Sequence, residues 1–294
     1  MDQILQQLIN GLSLGSIYAL IALGYTMVYG IIQLINFAHG DVYMVGAYVG
    51  YVCMAHFHLG FFTSLIVAMA VCAVLGMVIE RVAYKPLRNS TRIAVLITAI
   101  GVSLLLEYTM MYFVGPEHRA YPALPGFMSH TFHFGEVVIT MLQIMIVTIS
   151  IVLMIVLQFI VRRTRLGKAM RAVSQDRDAA QLMGISVDNT ISFTFALGSA
   201  LAGAAGVLVG VYYNSVNPLM GILPGLKAFV AAVLGGIGLI PGALLGGYVI
   251  GATETFVASI GFSMLRDAVV FALLIIVLIF KPSGLLGKNV REKV

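Results

Sequence analysis

Long runs of hydrophobic residues, separated by short polar segments, fill almost the whole chain. The apolar stretches cover approximately 8–33, 41–58, 60–82, 93–114, 137–161, 190–213, 226–263 and 266–281. A helix needs about 20 apolar residues to cross the hydrocarbon core of a bilayer, and most of these stretches approach or exceed that length. The pattern predicts an all-α, polytopic integral membrane protein with about eight hydrophobic segments.

Two of the apolar regions are interrupted by residues that disfavour a continuous helix. Segment 226–263 contains the sequence LGGIGLIPG, which predicts two short helices meeting at or below the membrane midplane. A similar break, NFAHGD, falls at 36–41 after a helix rich in small residues. One or two broken or re-entrant helices in related positions are typical of transporters built from inverted repeats, and a possible inverted repeat is therefore expected.

Most of the 17 basic residues lie in three regions between or after the apolar segments, namely 81–92, 162–177 and 281–293. Lys and Arg are enriched in cytoplasmic loops, which predicts that these three regions face the cytoplasm. The N-terminus is then periplasmic and the C-terminus cytoplasmic. Segments 56–60, 115–136 and 214–225 face outward.

Composition excludes several functions. The chain is 60% hydrophobic and 10% charged, whereas a soluble domain is about one quarter charged. The net charge of +5 comes without a basic patch interleaved with aromatic residues, so no nucleic-acid partner is expected. Cys53 and Cys72 lie in apolar spans, and the outer histidines lack the companions of a metal site. No phosphate-binding loop or nucleophile motif occurs, so no cofactor, metal or catalytic site is expected.

One short segment, residues 167–186, is rich in charges and alanine. We expect Ser174 to begin a helix, Asp176 and Asp178 to lie in its first turn, and Gly184 to end it. Leu182 and Met183, with the neighbouring alanines, give this helix an apolar edge. Its polar face mixes acidic and basic residues, which favours a protein partner over a lipid surface.

Few ionisable residues lie inside the apolar segments. Asp41 is expected to cap a helix that begins at Val42. Glu107 and Glu254, with Lys227 near an outer end, are candidates either for function or for buried pairing, and both alternatives stay open. From the broken helices alone, the residues expected to line a translocation path are Tyr25, Asn36, His39, Asn217 and Glu254. A packing role for His39 is the competing interpretation.

Four stretches carry a resemblance to a known family. They are INFAHGDVYM (35–44), GKAMRAVSQDRDAAQLMGI (167–185), KAFVAAVLGGIG (227–238) followed by PGALLGG (241–247), and KPSGLLG (281–287). Together they resemble the permease subunits of branched-chain amino-acid importers of the ATP-binding-cassette type. The resemblance spans nearly the whole chain.

The resemblance implies one permease domain over 1–294, with a cytoplasmic coupling segment at 162–189, in the bacterial inner membrane. It implies as partners a homologous second permease subunit, two cytoplasmic ATPase subunits that bind ATP, and a periplasmic substrate-binding protein. The residues it assigns to ATPase coupling are Gly167, Arg171, Ser174, Asp176, Asp178, Ala179, Ala180 and Gly184. A urea or short-amide permease of the same family, and an ion-coupled secondary transporter, are the alternative functions.

Overall fold

A computed structural model describes residues 2–88, 90–122, 126 and 130–287. Three basic residues of the 281–293 region, Lys288, Arg291 and Lys293, lie outside the described residues. Within the described ranges the helices and strands are α1 (Asp2–Ile32), α2 (His39–Ala55), α3 (Phe61–Ile79), α4 (Arg92–Val114), β1 (Thr131–Phe134), β2 (Val137–Thr140), α5 (Met141–Arg163), α6 (Arg165–Gln175), α7 (Arg177–Leu182), α8 (Val187–Tyr212), α9 (Ile222–Gly235), α10 (Ile240–Ser259) and α11 (Arg266–Phe280).

The prediction of an all-α, polytopic membrane protein is confirmed. Across the described ranges, seven helices are long and apolar enough to cross a membrane. These are α1, α3, α4, α5, α8, α10 and α11. The two shorter helices α2 and α9 complete the apolar part of the bundle. The described residues also contain a small antiparallel hairpin, β1–β2, which takes up residues 137–140 at the predicted start of α5.

The packing of the long helices supports the inverted repeat. Helix α1 packs closely against α10, with Gly15 against Gly251, and α8 packs in the same way against α3, with Gly203 against Cys72. Small side chains let helix backbones approach in this way. Each long helix is followed by a break and then by a short helix: 33–38 and α2 after α1, and 213–221 and α9 after α8.

The two short helices begin at the same point of the molecule. A Cβ atom on Gly40 would lie 2.5 Å from the carbonyl oxygen of Gly221, and one on Gly225 would lie 2.8 Å from the Cα of Gly40. Only glycine permits such an approach. The N-termini of α2 and α9, which carry the positive ends of their helix dipoles, therefore face each other inside the bundle.

The structure corrects the boundaries of the first break. It covers 33–38 and not 36–41, and α2 begins at His39, three residues before the predicted start at Val42. Asp41 does not cap the helix, because its own backbone N–H already bonds to the carbonyl of Ala38 at 3.1 Å within the first turn. The break predicted inside 226–263 is confirmed and lies between α9 and α10, at 236–239.

The three basic regions meet at one end of the bundle, here called the basic end. Arg88 forms an ion pair with Asp188, and the N–H of Leu285 bonds to the carbonyl of Leu234 at 2.8 Å. At the opposite end, the hydroxyl of Tyr121 donates to the carbonyl of Ala47 at 2.5 Å. Burial raises the pKa of Tyr121, which keeps this loop tyrosine a donor.

Candidate functional site

The segment that follows α5 turns sharply into α6 at the basic end. Thr164 caps α6 by accepting a hydrogen bond from the N–H of Gly167 at 3.0 Å. A Cβ atom on Gly167 would collide with the carbonyl oxygens of Ile160 and Val161. Gly167 therefore sets the angle between the α5 span and the coupling segment, and the structure gives it no exposed surface.

The predicted role of Ser174 as a helix cap is wrong. Ser174 lies in the last turn of α6, where its hydroxyl donates to the carbonyl of Arg171 at 2.8 Å. The cap of the following helix is Asp176, whose side chain accepts from the N–H of Ala179 at 3.0 Å. Asp176 has extended backbone angles and so breaks the segment into two helices, α6 and α7, where one was expected.

The predicted end of the segment at Gly184 is confirmed. Gly184 has φ +80° and follows the last turn of α7. Its N–H bonds to the carbonyl of Gln181 at 3.0 Å, and the N–H of Ile185 bonds to that of Ala180 at 3.0 Å. This pair of bonds is the Schellman arrangement, which favours glycine at the left-handed position.

The coupling segment exposes an apolar pair at its end. Leu182 is 88% exposed and Met183 is 83% exposed. Asp178 and Ala179 are also exposed beside them, whereas Ala180 is buried against the bundle. We call the set Asp176, Asp178, Ala179, Leu182 and Met183 the coupling surface. Apolar groups rimmed by charge are typical of protein interaction sites.

The coupling segment is tied to α1 by Arg177, a residue of the second basic region. Arg177 donates to the carbonyl of Ile32 at 2.8 Å and to that of Ile31 at 3.3 Å. These are orphan carbonyls at the C-terminus of α1, where a cation is favourable. Helix α1 has no basic residue in its own last turn. In the sequence, the sign of this contact is that the C-terminus of α1 lacks a basic residue and so needs a cation from another segment.

A second connection fastens the start of α8, which directly follows the coupling segment. The carboxylate of Glu80 is fully buried and accepts from Arg88 and from the hydroxyl of Ser192. Arg88 also pairs with Asp188, which in turn lies 2.7 Å from the ammonium of Lys85. The basic end of α3 is thereby linked to the first turns of α8.

Glu254 belongs to an ion cluster nearer the opposite end, in which Glu254 and Lys227 are buried and Asp267 is partly exposed. The ammonium of Lys227 lies 2.9 Å from Glu254 and 2.6 Å from Asp267, and the hydroxyl of Tyr18 donates to Glu254 at 2.8 Å. We call Tyr18, Lys227, Glu254 and Asp267 the Lys227 cluster. It borders a cavity of about 430 Å³ that also includes Asn217.

The five predicted path residues do not form one continuous line. Asn217 and Glu254 border the same cavity, and Tyr25 contacts His39 edge to face with 4.8 Å between the ring centroids. Asn36 lies apart and accepts a hydrogen bond from Tyr84 at 2.8 Å. His39 is buried against Gly24, an arrangement that fits a packing role.

A family model described as "Branched-chain amino acid transport system / permease component" matches residues 7–278. The chain belongs to this family. The match covers α2 to α10 completely, including the coupling segment, and most of α1 and α11, so the resemblance drawn from the sequence motifs is confirmed. The family is one of permease components, which are membrane parts of larger transport systems.

Curated relatives agree with the family match over nearly full length. The permease protein BraD of the high-affinity branched-chain amino acid transport system of Pseudomonas aeruginosa is 46% identical, over 99% of this chain and 98% of its own. The permease protein LivH of the corresponding Escherichia coli K12 system is 44% identical, over 99% and 97%. The ribose import permease protein RbsC of Haemophilus influenzae is 27% identical, over 95% and 85%. No solved structure matches the chain.

The left-handed conformation of Gly184 gives a direct test of the coupling segment in this permease. We expect Gly184→Val to weaken the coupling of ATP hydrolysis to transport, because a β-branched residue at φ +80° is strained and will open the Schellman arrangement. Leucine uptake should fall severalfold while membrane insertion stays normal. ATP hydrolysis and leucine uptake by the assembled complex are the measurements.

Two variants make the Gly184 experiment specific. Gly184→Asn should stay close to wild type, because asparagine tolerates the left-handed region. Gly261, at φ +92°, follows α10 at the opposite end and has open space around it. Gly261→Val imposes the same strain away from the coupling surface and should leave coupling intact. Equal losses in Gly184→Val and Gly261→Val would show that strain alone is responsible.

Proposed function

We propose that this permease is the membrane-spanning subunit of an ATP-driven importer for leucine, isoleucine and valine in the bacterial inner membrane. The basic end then faces the cytoplasm, and the N-terminus faces the periplasm. The observation that carries the proposal is the full-length similarity to BraD and LivH, joined to a coupling surface exposed at the basic end.

We further propose that the partners are two ATPase subunits, a homologous second permease subunit and a periplasmic binding protein. The coupling surface supports the first of these, since Leu182 and Met183 would otherwise be left in water. The outward faces of α4, α5 and α11 are apolar and exposed, which suits lipid and a second permease. ATP is bound by the ATPase subunits and not by this chain.

The proposed coupling route runs from the coupling surface into two long helices. Movement of α7 reaches α1 through Arg177, and it reaches α8 through the short connection after Gly184. Helices α1 and α8 cross where Gly24 lies against Gly198, near the middle of α8. A shift of their basic ends would turn each helix about this crossing and change the space around the half-helices α2 and α9.

The alternative substrates and mechanism make different predictions. The similarity to a ribose import permease supports the view that such permeases serve several solutes. Urea or a short amide, the alternative implied by the resemblance, is the competing cargo. An ion-coupled transporter would need no ATPase and no exposed coupling surface. The structural features at the basic end therefore favour the ATP-driven importer.

One reconstitution experiment tests the proposal. The chain is co-expressed with the second permease, the two ATPase subunits and the binding protein proposed as its partners, and the tagged complex is purified and placed in liposomes. We expect ATPase subunits to co-purify and radiolabelled leucine, but not urea, to be taken up with ATP. A complex with inactivated ATPase subunits is the control. Uptake driven by an ion gradient without ATPase subunits would contradict the proposal.

A further inference from the structure

A second cavity, of about 420 Å³, lies between α4 and the point where α2 and α9 begin. Its walls come from α1, α2, α4, α9 and the first break. Most of this wall is aliphatic and consists of Leu96, Ile100, Leu104, Ile222 and Leu226. The first four are 40–45% exposed, so the cavity opens on the outer surface of the subunit. Sites for small organic molecules have volumes of about 300–1,000 Å³ and are mostly apolar, with a few placed polar groups. We call this space the central cavity.

The polar groups of the central cavity are two carboxylates and two hydroxyls, from Asp41, Glu107, Ser103 and Tyr25. Asp41 is only 2% exposed. One of its oxygens accepts from the hydroxyl of Ser103, and the other has no hydrogen-bond partner among the described residues. An unpaired carboxylate oxygen at such a depth is unfavourable, so the site favours a donor from outside the chain.

The other buried acidic sites each contain a cationic side chain, and the central cavity does not, among the described residues that line it. Glu80 is paired with Arg88, and Glu254 is paired with Lys227. No Lys or Arg is present among the described residues that line the central cavity. A positively charged group on a ligand would supply the partner that Asp41 and Glu107 lack.

Two helix N-termini lie beside the carboxyl group of Asp41. Asp41 lies in the first turn of α2, and its unpartnered oxygen is 2.9 Å from the position of a Cβ atom on Gly221, where α9 is about to begin. The positive ends of two helix dipoles therefore act on one carboxylate.

We propose that the central cavity is a transient binding site for an aliphatic α-amino acid in transit. The α-ammonium group of the solute donates to Asp41 and Glu107, and its branched side chain packs on the leucine and isoleucine wall from α4 and α9. Tyr25 is the one predicted path residue that borders this site. The inference rests on the proposed function and deepens it by naming the residues that contact the solute.

Charge removal tests the role of the two carboxylates in the reconstituted complex. Asp41→Asn and Glu107→Gln should each lower leucine uptake by about tenfold or more, the loss expected for a hydrogen bond to a charged group. ATPase co-purification should stay unchanged. The matched control is Glu117→Gln, an exposed carboxylate beyond the end of α4, which should transport at the wild-type rate. Wild-type uptake in both cavity variants would overturn the inference.

Substrate protection tests occupancy, which a purely structural role would not alter. Ile100→Cys is placed in a chain carrying Cys53→Ala and Cys72→Ala, and is treated with a membrane-permeant thiol reagent. Leu104→Cys replaces it if Ile100→Cys does not transport. We expect leucine with its binding protein and ATP to slow labelling, and urea to have no effect.

The outcomes of the labelling experiment separate the two proposals. Leucine uptake by the wild-type complex without protection of either cysteine variant would overturn the central-cavity inference alone. If the second permease subunit alone prevented all labelling, without leucine, the cavity would belong to the subunit interface. That result would also overturn the central-cavity inference. Absence of leucine uptake by the wild-type complex would overturn the proposed function and, with it, this inference.

Discussion

The double substitution Leu182→Glu with Met183→Glu should detach the ATPase subunits and abolish transport. Both side chains are more than four-fifths exposed at the end of the coupling surface, and they contribute nothing to the core of this subunit. Truncation of apolar residues at the centre of an interface costs about 2 kcal/mol or more each, and added carboxylates must also be desolvated. Pull-down of ATPase subunits and leucine uptake are the measurements.

A matched substitution at the other end controls for added charge. Met264 is 98% exposed in the connection before α11, at the end opposite the coupling surface. Met264→Glu should leave both ATPase binding and leucine uptake at wild-type values. The coupling surface would lose its assigned role if the Leu182/Met183 double variant retained its ATPase subunits, or if Met264→Glu released them.

Lys227→Met should destabilise the folded subunit strongly. It leaves the buried carboxylate of Glu254 without its cation, and breaking a buried ion pair in this way costs about 3–5 kcal/mol. Thermal unfolding in detergent, followed by the loss of monodisperse protein on a sizing column, measures the effect. A midpoint unchanged from wild type would show that the Lys227 cluster is solvated and carries no buried charge.

A double variant shows whether Lys227→Met is unstable because Glu254 has lost its cation or because packing is lost. In Lys227→Met with Glu254→Gln the buried negative charge is removed, and the hydroxyl of Tyr18 still has an oxygen to bond. This double variant should recover most of the lost stability. Glu254→Gln alone keeps Lys227 paired with Asp267, so its stability should be close to wild type and its transport rate can be interpreted. A double variant as unstable as Lys227→Met would point to packing.

The sequence alone predicted the membrane architecture closely, because hydropathy and glycine breaks are local signals. The break between α9 and α10, the helix end at Gly184 and the gathering of the basic regions at one end all follow from such signals. The cap was misassigned at Ser174 for the same reason. Both Ser174 and Asp176 are good capping residues. Asp176 becomes the N-cap of α7 because the chain changes direction there, between α6 and α7.

The side-chain partnerships could not be predicted, since each joins residues far apart in the chain. Lys227 reaches Glu254, and Arg177 reaches Ile32, only after the long helices have packed. Asp41 was expected to be a cap because the start of α2 was placed three residues too late. Its position in the central cavity depends on α4, which no local pattern connects with α2.

Helix α1, from the first half of the chain, packs on α10 from the second half, and α3 packs on α8 in the same way. This packing has a consequence for synthesis. Helix α1 is the first to leave the ribosome, yet the helix that covers its glycine face, α10, is among the last. During most of translation that face has no partner from its own chain. Neither half can complete its packing alone, so we expect the subunit to become resistant to proteolysis only after α10 has entered the membrane, in a single late step.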